Sequence, residues 1–249
     1  MRMSKENVEL FYKLFPALLF YTNQQMKKIK NVSTLKEFTN LSTKNKLEIR
    51  NALWDNINLI DYFIKKNPFN FSVEELRIIQ NWKNFIKRKF CLVRYLKNYT
   101  VFFDINDHNY AYGVLALNDE FAGMLGPQLP VILEMVLLPF KEQIIYDGLM
   151  MPYKSTFGRF FRQNINNIYL ESKSKYGIIT SLPFSMEGVK ESDAGRLRFY
   201  IRNQHNREMY SEEIEELINK NSNLLVIYHL EMGKIRARRI EKDCAKLVL

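Results

Sequence analysis

The chain has 249 residues, of which 47% are hydrophobic and 14% aromatic, a composition that excludes a disordered or low-complexity protein. The length suits one large domain or two smaller ones. The net charge of +10 favours acidic or phosphate-rich partners through long-range attraction, although a lysine-rich composition inherited from an AT-rich genome would give the same excess. The charge is uneven: residues 1–88 carry +8, residues 89–156 carry −2, and residues 157–249 carry +4.

The cysteines and the N-terminal residues bear on the cellular compartment. Cys91 and Cys244 are far apart and form no metal-binding spacing, which favours free thiols and a reducing compartment. Lys13 interrupts the apolar N-terminal stretch, and Lys5, Glu6 and Glu9 occupy the place of a simple basic n-region. The stretch also lacks a small-residue cleavage site, so a signal peptide is not expected. No apolar run approaches the roughly 20 residues that span a bilayer. The sequence therefore predicts a cytoplasmic protein without a membrane partner.

Residues 1–88 have the pattern of a helical region. Apolar residues between Val8 and Leu19 recur at three- and four-residue steps, the spacing of one helix face, and Pro16 is expected to kink or divide this helix. Two capping boxes, each a hydroxyl residue followed three positions later by glutamate, mark further helix starts: Thr34 with Glu37, and Ser72 with Glu75. The apolar spacing behind Ser72 predicts a helix that continues to about Arg88.

The hydrophobic period changes at Lys89, where a series of short β-branched and aromatic runs begins. The predicted strands are Lys89–Leu96, Tyr99–Asp104, Tyr110–Leu117, Val131–Leu138 and Gln143–Tyr146, with a short helical turn at Asp119–Leu125. Their short connections favour an antiparallel curled sheet or small barrel. The run Val131–Phe140 is apolar on both faces except at Glu134, which predicts a position inside the fold.

The remaining residues have mixed patterns. A helix is predicted from Phe160 to Ser174, and another begins at Ser211 with acids in its first turn. Short strands are predicted at Gly177–Pro183, Leu224–Leu230 and Ile235–Ile240. The sequence thus predicts an α+β fold of three regions: an N-terminal helical region (1–88), a central small antiparallel β-sheet or barrel (89–156), and a mixed α/β C-terminal region packed on the sheet (157–249).

Catalytic motifs are scarce. No glycine-rich phosphate loop, HExxH or GxSxG motif occurs, and three scattered histidines without paired cysteines do not indicate a zinc site. The catalytic candidates are acids of the predicted sheet: Asp104, Glu134 and Asp147. If these carboxylates converge, they would hold Mg²⁺ for phosphodiester hydrolysis, the one cofactor that the sequence suggests. Ordinary turn chemistry explains a strand-end aspartate equally well, and Glu134 would also suit an ion pair with an arginine.

Basic residues form more numerous candidates for contact with nucleic acid or another partner. They fall into three groups: Arg159 with Arg162, Arg196 with Arg198, and Lys234, Arg236, Arg238 with Arg239. Aromatic residues such as Phe157, Phe160, Phe161 and Tyr200 are interleaved with the first two groups. Arginine beside aromatic rings suits phosphate contacts combined with base stacking. The same aromatic residues would also fit a helix core.

Three segments resemble stretches from a family of uncharacterised prokaryotic proteins. They are AYGVLALND, LPVILEMVLLPFKEQIIYDGLM and YGIITSLP, within roughly Tyr99 to Pro183. The resemblance implies a cytoplasmic bacterial or archaeal protein and brings no activity with it.

These observations favour a binding protein over an enzyme. The leading hypothesis is contact with nucleic acid or another phosphate-rich partner through the basic flanks. A protein-interaction or scaffold module is the alternative, and it predicts an apolar interface that is insensitive to salt. A metal-dependent nuclease that uses the sheet carboxylates is the third hypothesis.

Overall fold

The structure is a computed structural model that describes residues 1–105, 110–153, 157–184, 193–201, 204–221, 224–230 and 232–233, apart from the side chains of residues 195, 199 and 205. It has an α+β fold with helices before and after a five-stranded sheet, as predicted. Among the described residues, no helix is long and apolar enough to cross a membrane.

The chain divides into two compact units. The first contains residues 1–165 and 178–184, and the second contains residues 166–177 and 185–249. The helical region and the sheet therefore belong to one unit. The three-region division of the chain at residues 88 and 156 concerns element content and stays a prediction.

The N-terminal region consists of five α-helices and a 3₁₀ turn at Trp82–Asn84. The helices are α1 (Lys5–Met26), α2 (Leu35–Thr39), α3 (Thr43–Asp55), α4 (Leu59–Lys66) and α5 (Val73–Asn81). Both capping boxes form, so α2 and α5 begin where the local sequence predicts. Pro16 lies inside α1, which continues as one helix and is not divided there. Burial of the neighbouring Phe15 and Ala17 offsets the hydrogen bond that proline removes.

The helix predicted to reach Arg88 was placed wrongly. Helix α5 ends at Asn81, and strand β1 already begins at Ile86. Arg88 pairs across the sheet with Met135, so this part of the chain satisfies its backbone by strand pairing. The apolar spacing around residue 85 fits either element, and the non-local partner decided between them.

The sheet closes into a five-stranded barrel in the order β1-β2-β3-β5-β4. The strands are β1 (Ile86–Tyr95), β2 (Thr100–Asp104), β3 (Ala111–Leu115), β4 (Val131–Phe140) and β5 (Gln143–Pro152). The pairs are antiparallel except β3 with β5, which are parallel, so the antiparallel prediction is corrected at this one pair. The parallel pairing is possible because helix α6 (Phe121–Leu125) and β4 form a long crossover between the two strands.

Apolar side chains fill the barrel and join it to the helices. Helix α6 contributes Phe121, whose ring lies 4.8 Å from Phe102 and 5.1 Å from Tyr146. On β4, the ring of Phe140 lies 6.4 Å from that of Phe11 in α1. Strand β4 thus packs on both the barrel and the helices, which confirms the predicted interior position of Val131–Phe140.

The second unit is helical where it is described. It contains the part of helix α7 (Arg159–Tyr176) from Asn166 onward. Its other helical segments are α8 (Asp193–Tyr200), α9 (Gln204–Met209), α10 (Ser211–Lys220) and residues 224–230. The strand predicted at Leu224–Leu230 is therefore wrong. Leu224, Ile227 and Tyr228 have helical spacing and pack with Leu197 and Leu217 in one core, which stabilises the helix.

The other two strands predicted near the C-terminus, Gly177–Pro183 and Ile235–Ile240, have different outcomes. Instead of a strand at Gly177–Pro183, the described structure has an isolated parallel bridge between Ile179 and Tyr112 of β3. The strand predicted at Ile235–Ile240 lies outside the described residues.

Candidate nucleic-acid interface

Asp147 of β5 forms a buried ion pair with Arg50 of α3. The Asp147 Oδ2 atom lies 3.3 Å from Arg50 Nε, and the two side chains are 0% and 1% exposed. Trp54 Nε1 donates to the same oxygen over 3.3 Å, and the Leu149 amide donates to Oδ1 over 3.2 Å. Burial raises the pKa of Asp147 to about 6, against the opposing effects of Arg50 and the hydrogen bonds. This carboxylate joins the helices to the barrel.

The other two acids are engaged separately. Asp104 is fully buried and lies 2.8 Å from Arg88 Nη1, on the same face of the sheet as Phe90. Glu134 lies opposite Lys89 in the neighbouring strand and accepts a hydrogen bond of 3.4 Å from the Tyr153 hydroxyl. In the described part of the chain, no group of three or more His, Cys, Asp or Glu side chains is arranged to hold a metal ion.

Arg159 and Arg162 lie together on the first turn of α7, and both are exposed. Arg162 Nε donates to the Phe157 carbonyl over 3.0 Å, which orients its guanidinium. The Phe157 and Phe161 rings stack with centroids 4.4 Å apart. Between these residues, Phe160 is 84% exposed. The start of α7 thus presents two cations beside a nearly fully exposed ring.

A cleft of about 290 Å³ opens beside these residues. Its lining is mixed, and Gln128, Tyr153 and Arg162 supply polar side-chain groups. The lining residues are Met124, Leu125, Gln128, Leu129, Pro130, Val131, Pro152, Tyr153, Phe157 and Arg162. The Lys89 ammonium group lies over the Tyr153 ring, 5.3 Å from its centroid. Tyr153 is held by its amide, which donates to the Ile132 carbonyl over 2.9 Å. We call Lys89, Tyr153, Phe157, Arg159, Phe160 and Arg162 the aromatic–basic surface.

The remaining basic candidates are placed differently. Arg196 in α8 lies 3.9 Å from Asp193 Oδ1, donates to the Tyr200 hydroxyl over 3.3 Å, and is partly buried. Tyr200 itself stacks on Tyr210, with centroids 4.5 Å apart, in the core of the second unit. Arg198 is exposed. The candidates Lys234, Arg236, Arg238 and Arg239 lie outside the described residues.

Sequence reasoning missed two members of the aromatic–basic surface. Lys89 was assigned to a strand without a role, and Tyr153 was not singled out. The signal for Tyr153 was an aromatic residue directly after the proline that ends β5. The signal for Lys89 was weaker, because its contact with Tyr153 depends on pairing between β1 and β4.

No protein-family model, curated protein or solved structure matches this chain.

Proposed function

We propose that this protein binds single-stranded nucleic acid at the aromatic–basic surface. The observation that carries the proposal is Phe160, which is 84% exposed and stands between the exposed Arg159 and Arg162. The Phe160 ring is therefore accessible for stacking, and a cation lies close to it on either side in the sequence. Single strands are bound by aromatic platforms that stack bases, together with cations that contact phosphates.

The surface contains both kinds of group. Phe160 offers a free ring face, Tyr153 lines the cleft, and Arg159, Arg162 and Lys89 supply positive charge. Arginine is suited to phosphate because its planar guanidinium forms paired hydrogen bonds. Glu134 is the carboxylate that contacts this surface in the described structure, through Tyr153. The charge of the surface therefore remains positive.

The covered face of strands β2 and β3 also favours the aromatic–basic surface as the binding site. Five-stranded barrels of the OB type bind oligonucleotides across the face of strands 2 and 3. In this chain Val101 and Phe103 of β2 and Ala111 of β3 are buried. Gly113 of β3 is covered by the Tyr99 ring, since a Cβ atom there would lie 2.9 Å from it. That face is not open, whereas the aromatic–basic surface is.

A protein partner is the second candidate function. Met124, Met151 and Tyr153 are exposed near the cleft, and methionine and tyrosine are enriched in protein interfaces. Such an interface would depend little on salt, whereas phosphate contacts release counterions and weaken as salt increases. The salt dependence of binding therefore separates the two functions.

The test is fluorescence anisotropy with labelled single-stranded oligonucleotides of about 16 nucleotides over a series of salt concentrations. The wild-type protein should bind with an affinity that falls as salt rises. The double variant Arg159→Ala/Arg162→Ala should reduce the slope of log K against log salt by about 1.4, at about 0.7 per phosphate contact on a single strand. Phe160→Ala should weaken binding about 5- to 150-fold, the equivalent of one lost stacking contact.

The matched control is Lys5→Ala/Arg77→Ala, which removes the same charge from exposed positions elsewhere in the same unit. The control should keep the wild-type slope and affinity. Binding that is unaffected by salt, or an Arg159→Ala/Arg162→Ala variant that binds like the control, would contradict the proposal.

A further inference from the structure

Two sets of lysines in the N-terminal helical region differ in their partners. In the first set each ammonium group meets a carboxylate: Lys13 with Glu75, Lys83 with Asp61 at 2.7 Å, and Lys87 with Asp55 at 3.1 Å. These pairs neutralise the part of the helical region near α5 and β1. The second set has no such partners among the described residues, and it lies at the other end of α1.

The second set surrounds the C-terminal end of α1. It consists of lysines that are exposed and, within the described part of the chain, have no carboxylate within 4.0 Å: Lys27, Lys28, Lys30, Lys36, Lys65 and Lys66. We call them the distal lysine face. Residues 20–40 and 63–70, which carry them, contain one acid, Glu37. The face therefore carries a net charge of +5 from six lysines and one glutamate.

Aromatic packing brings these lysines together although three separate segments supply them. The Phe20 ring near the end of α1 lies 6.3 Å from Phe38 of α2 and 6.4 Å from Phe69, just after α4. The Tyr21 ring lies 5.3 Å from Phe63 of α4, and the Lys66 ammonium group sits 5.8 Å from the Tyr21 centroid. The ends of α1 and α4 and the short helix α2 thus form one surface.

The loop after α1 is held in a defined shape. Asn23 is buried, donates to the Ile29 carbonyl over 3.0 Å and accepts from the Ile29 amide over 2.8 Å. Glu37 is occupied within its capping box, where the Ser33 and Thr34 amides donate to its carboxylate and lower its pKa. The acid of this face is therefore directed at its own helix start and does not pair with the lysines.

We propose that the distal lysine face binds the phosphate backbone of a nucleic-acid duplex. Lysine ammonium groups on flexible stems contact phosphates without reading bases. Lysine is depleted in protein interfaces, and insertion into a lipid surface needs exposed apolar side chains. Among the described residues, the one large, exposed hydrophobic side chain in residues 20–40 and 62–70 is Tyr62 of α4, about one helical turn before Lys65 and Lys66. Because this face has six lysines and one exposed ring, it offers many phosphate contacts and little stacking, so a duplex fits it better than a single strand.

This inference extends the proposed function from single strands to duplexes, and it rests on that function for the class of ligand. A nucleic acid that contains both a paired and an unpaired segment would satisfy both surfaces. The aromatic–basic surface would contact the bases of the unpaired segment. The distal lysine face would contact phosphates of the paired segment.

The test is fluorescence anisotropy with a labelled blunt-ended DNA duplex and the variant Lys27→Gln/Lys28→Gln/Lys30→Gln/Lys36→Gln. The affinity for the duplex should fall about tenfold or more at low salt, and the salt slope should fall by up to about 3.6, at about 0.9 per lysine. The matched control is Lys5→Gln/Arg77→Gln/Lys83→Gln/Lys87→Gln. It removes the same charge elsewhere in the unit and should stay within about twofold of the wild-type affinity.

Three results would overturn the inference: wild-type duplex affinity in the lysine variant, an equal loss in the control, or lysine-dependent binding to phosphatidylserine vesicles without binding to the duplex. The outcome is separable from that of the proposed function. Lysine-dependent duplex binding without any effect of Arg159→Ala/Arg162→Ala on single strands would contradict the proposed function alone. The reverse result would contradict the duplex inference alone.

Discussion

Charged groups at the junction of α3 with the barrel differ in their environment from those on the two basic surfaces. At the junction, Arg50 and Asp147 are both buried and have each other as partners. On the aromatic–basic surface, Arg159 and Arg162 are exposed. A buried charge is tolerated when a partner offsets its desolvation, whereas an exposed charge needs no partner to remain stable. The exposed cations are therefore available to a ligand.

The strand-end acids belong to the buried group as well. Asp104 and Asp147 are buried beside arginines that come from different elements. Each carboxylate is neutralised where it stands, so neither is free to share a cation with the other. On the aromatic–basic surface, the side chains of Lys89, Arg159 and Arg162 are all positively charged, which raises the local potential and attracts an anion.

The largest effect is expected from breaking the buried pair. Arg50→Met removes the cation and leaves Asp147 as a buried, uncompensated carboxylate, so the free energy of unfolding at neutral pH should fall by about 3–5 kcal/mol. Urea denaturation measures this change. The double variant Arg50→Met/Asp147→Leu, which removes both charges, should recover most of the loss. A loss below about 1 kcal/mol for Arg50→Met would mean that the Asp147 carboxylate reaches water and the pair is not buried.

A smaller effect is expected from pH. Because burial raises the folded pKa of Asp147 to about 6, the folded protein holds a proton between about pH 4 and pH 6 that the unfolded chain releases. This group therefore stabilises the fold fully below about pH 4, and its contribution is lost as pH rises through 6. The loss should be about 2–3 kcal/mol.

The measurement is urea denaturation of the wild type and Asp147→Asn at a series of pH values. The difference in the free energy of unfolding between the two proteins should change across this pH window and be constant above it. Parallel curves for the two proteins between pH 4 and pH 7 would show that Asp147 has an ordinary pKa.

The smallest effect is expected from an exposed pair. Lys83→Gln removes the partner of Asp61, whose pKa the Lys83 ammonium lowers by hydrogen bonding. Because both side chains reach solvent, the change in the free energy of unfolding should be much smaller than that of Arg50→Met. Thermal denaturation at low and high salt measures it, and high salt should make wild type and variant alike. A loss comparable to that of Arg50→Met would remove the distinction between the two regions.

Local features of the fold could be predicted from the sequence. The capping boxes at Thr34 and Ser72 began α2 and α5 as expected, because the residues that satisfy the helix start are three positions apart. Helix α6 was expected between residues 119 and 125, and Val131–Phe140 was expected to lie inside the fold. The choice of Arg159 and Arg162 as contact candidates stays a prediction, as does the function.

Non-local pairing decided the rest. The chain from Ile86 to Arg88 became a strand because β4 lies beside it, and residues 224–230 became a helix because a core lay against their apolar side. The pairing of Arg50 with Asp147 joins residues 97 positions apart, and no local pattern records it. Helix starts depend on neighbours within one turn, whereas strand partners, buried ion pairs and shared surfaces depend on which segments meet after the chain has closed.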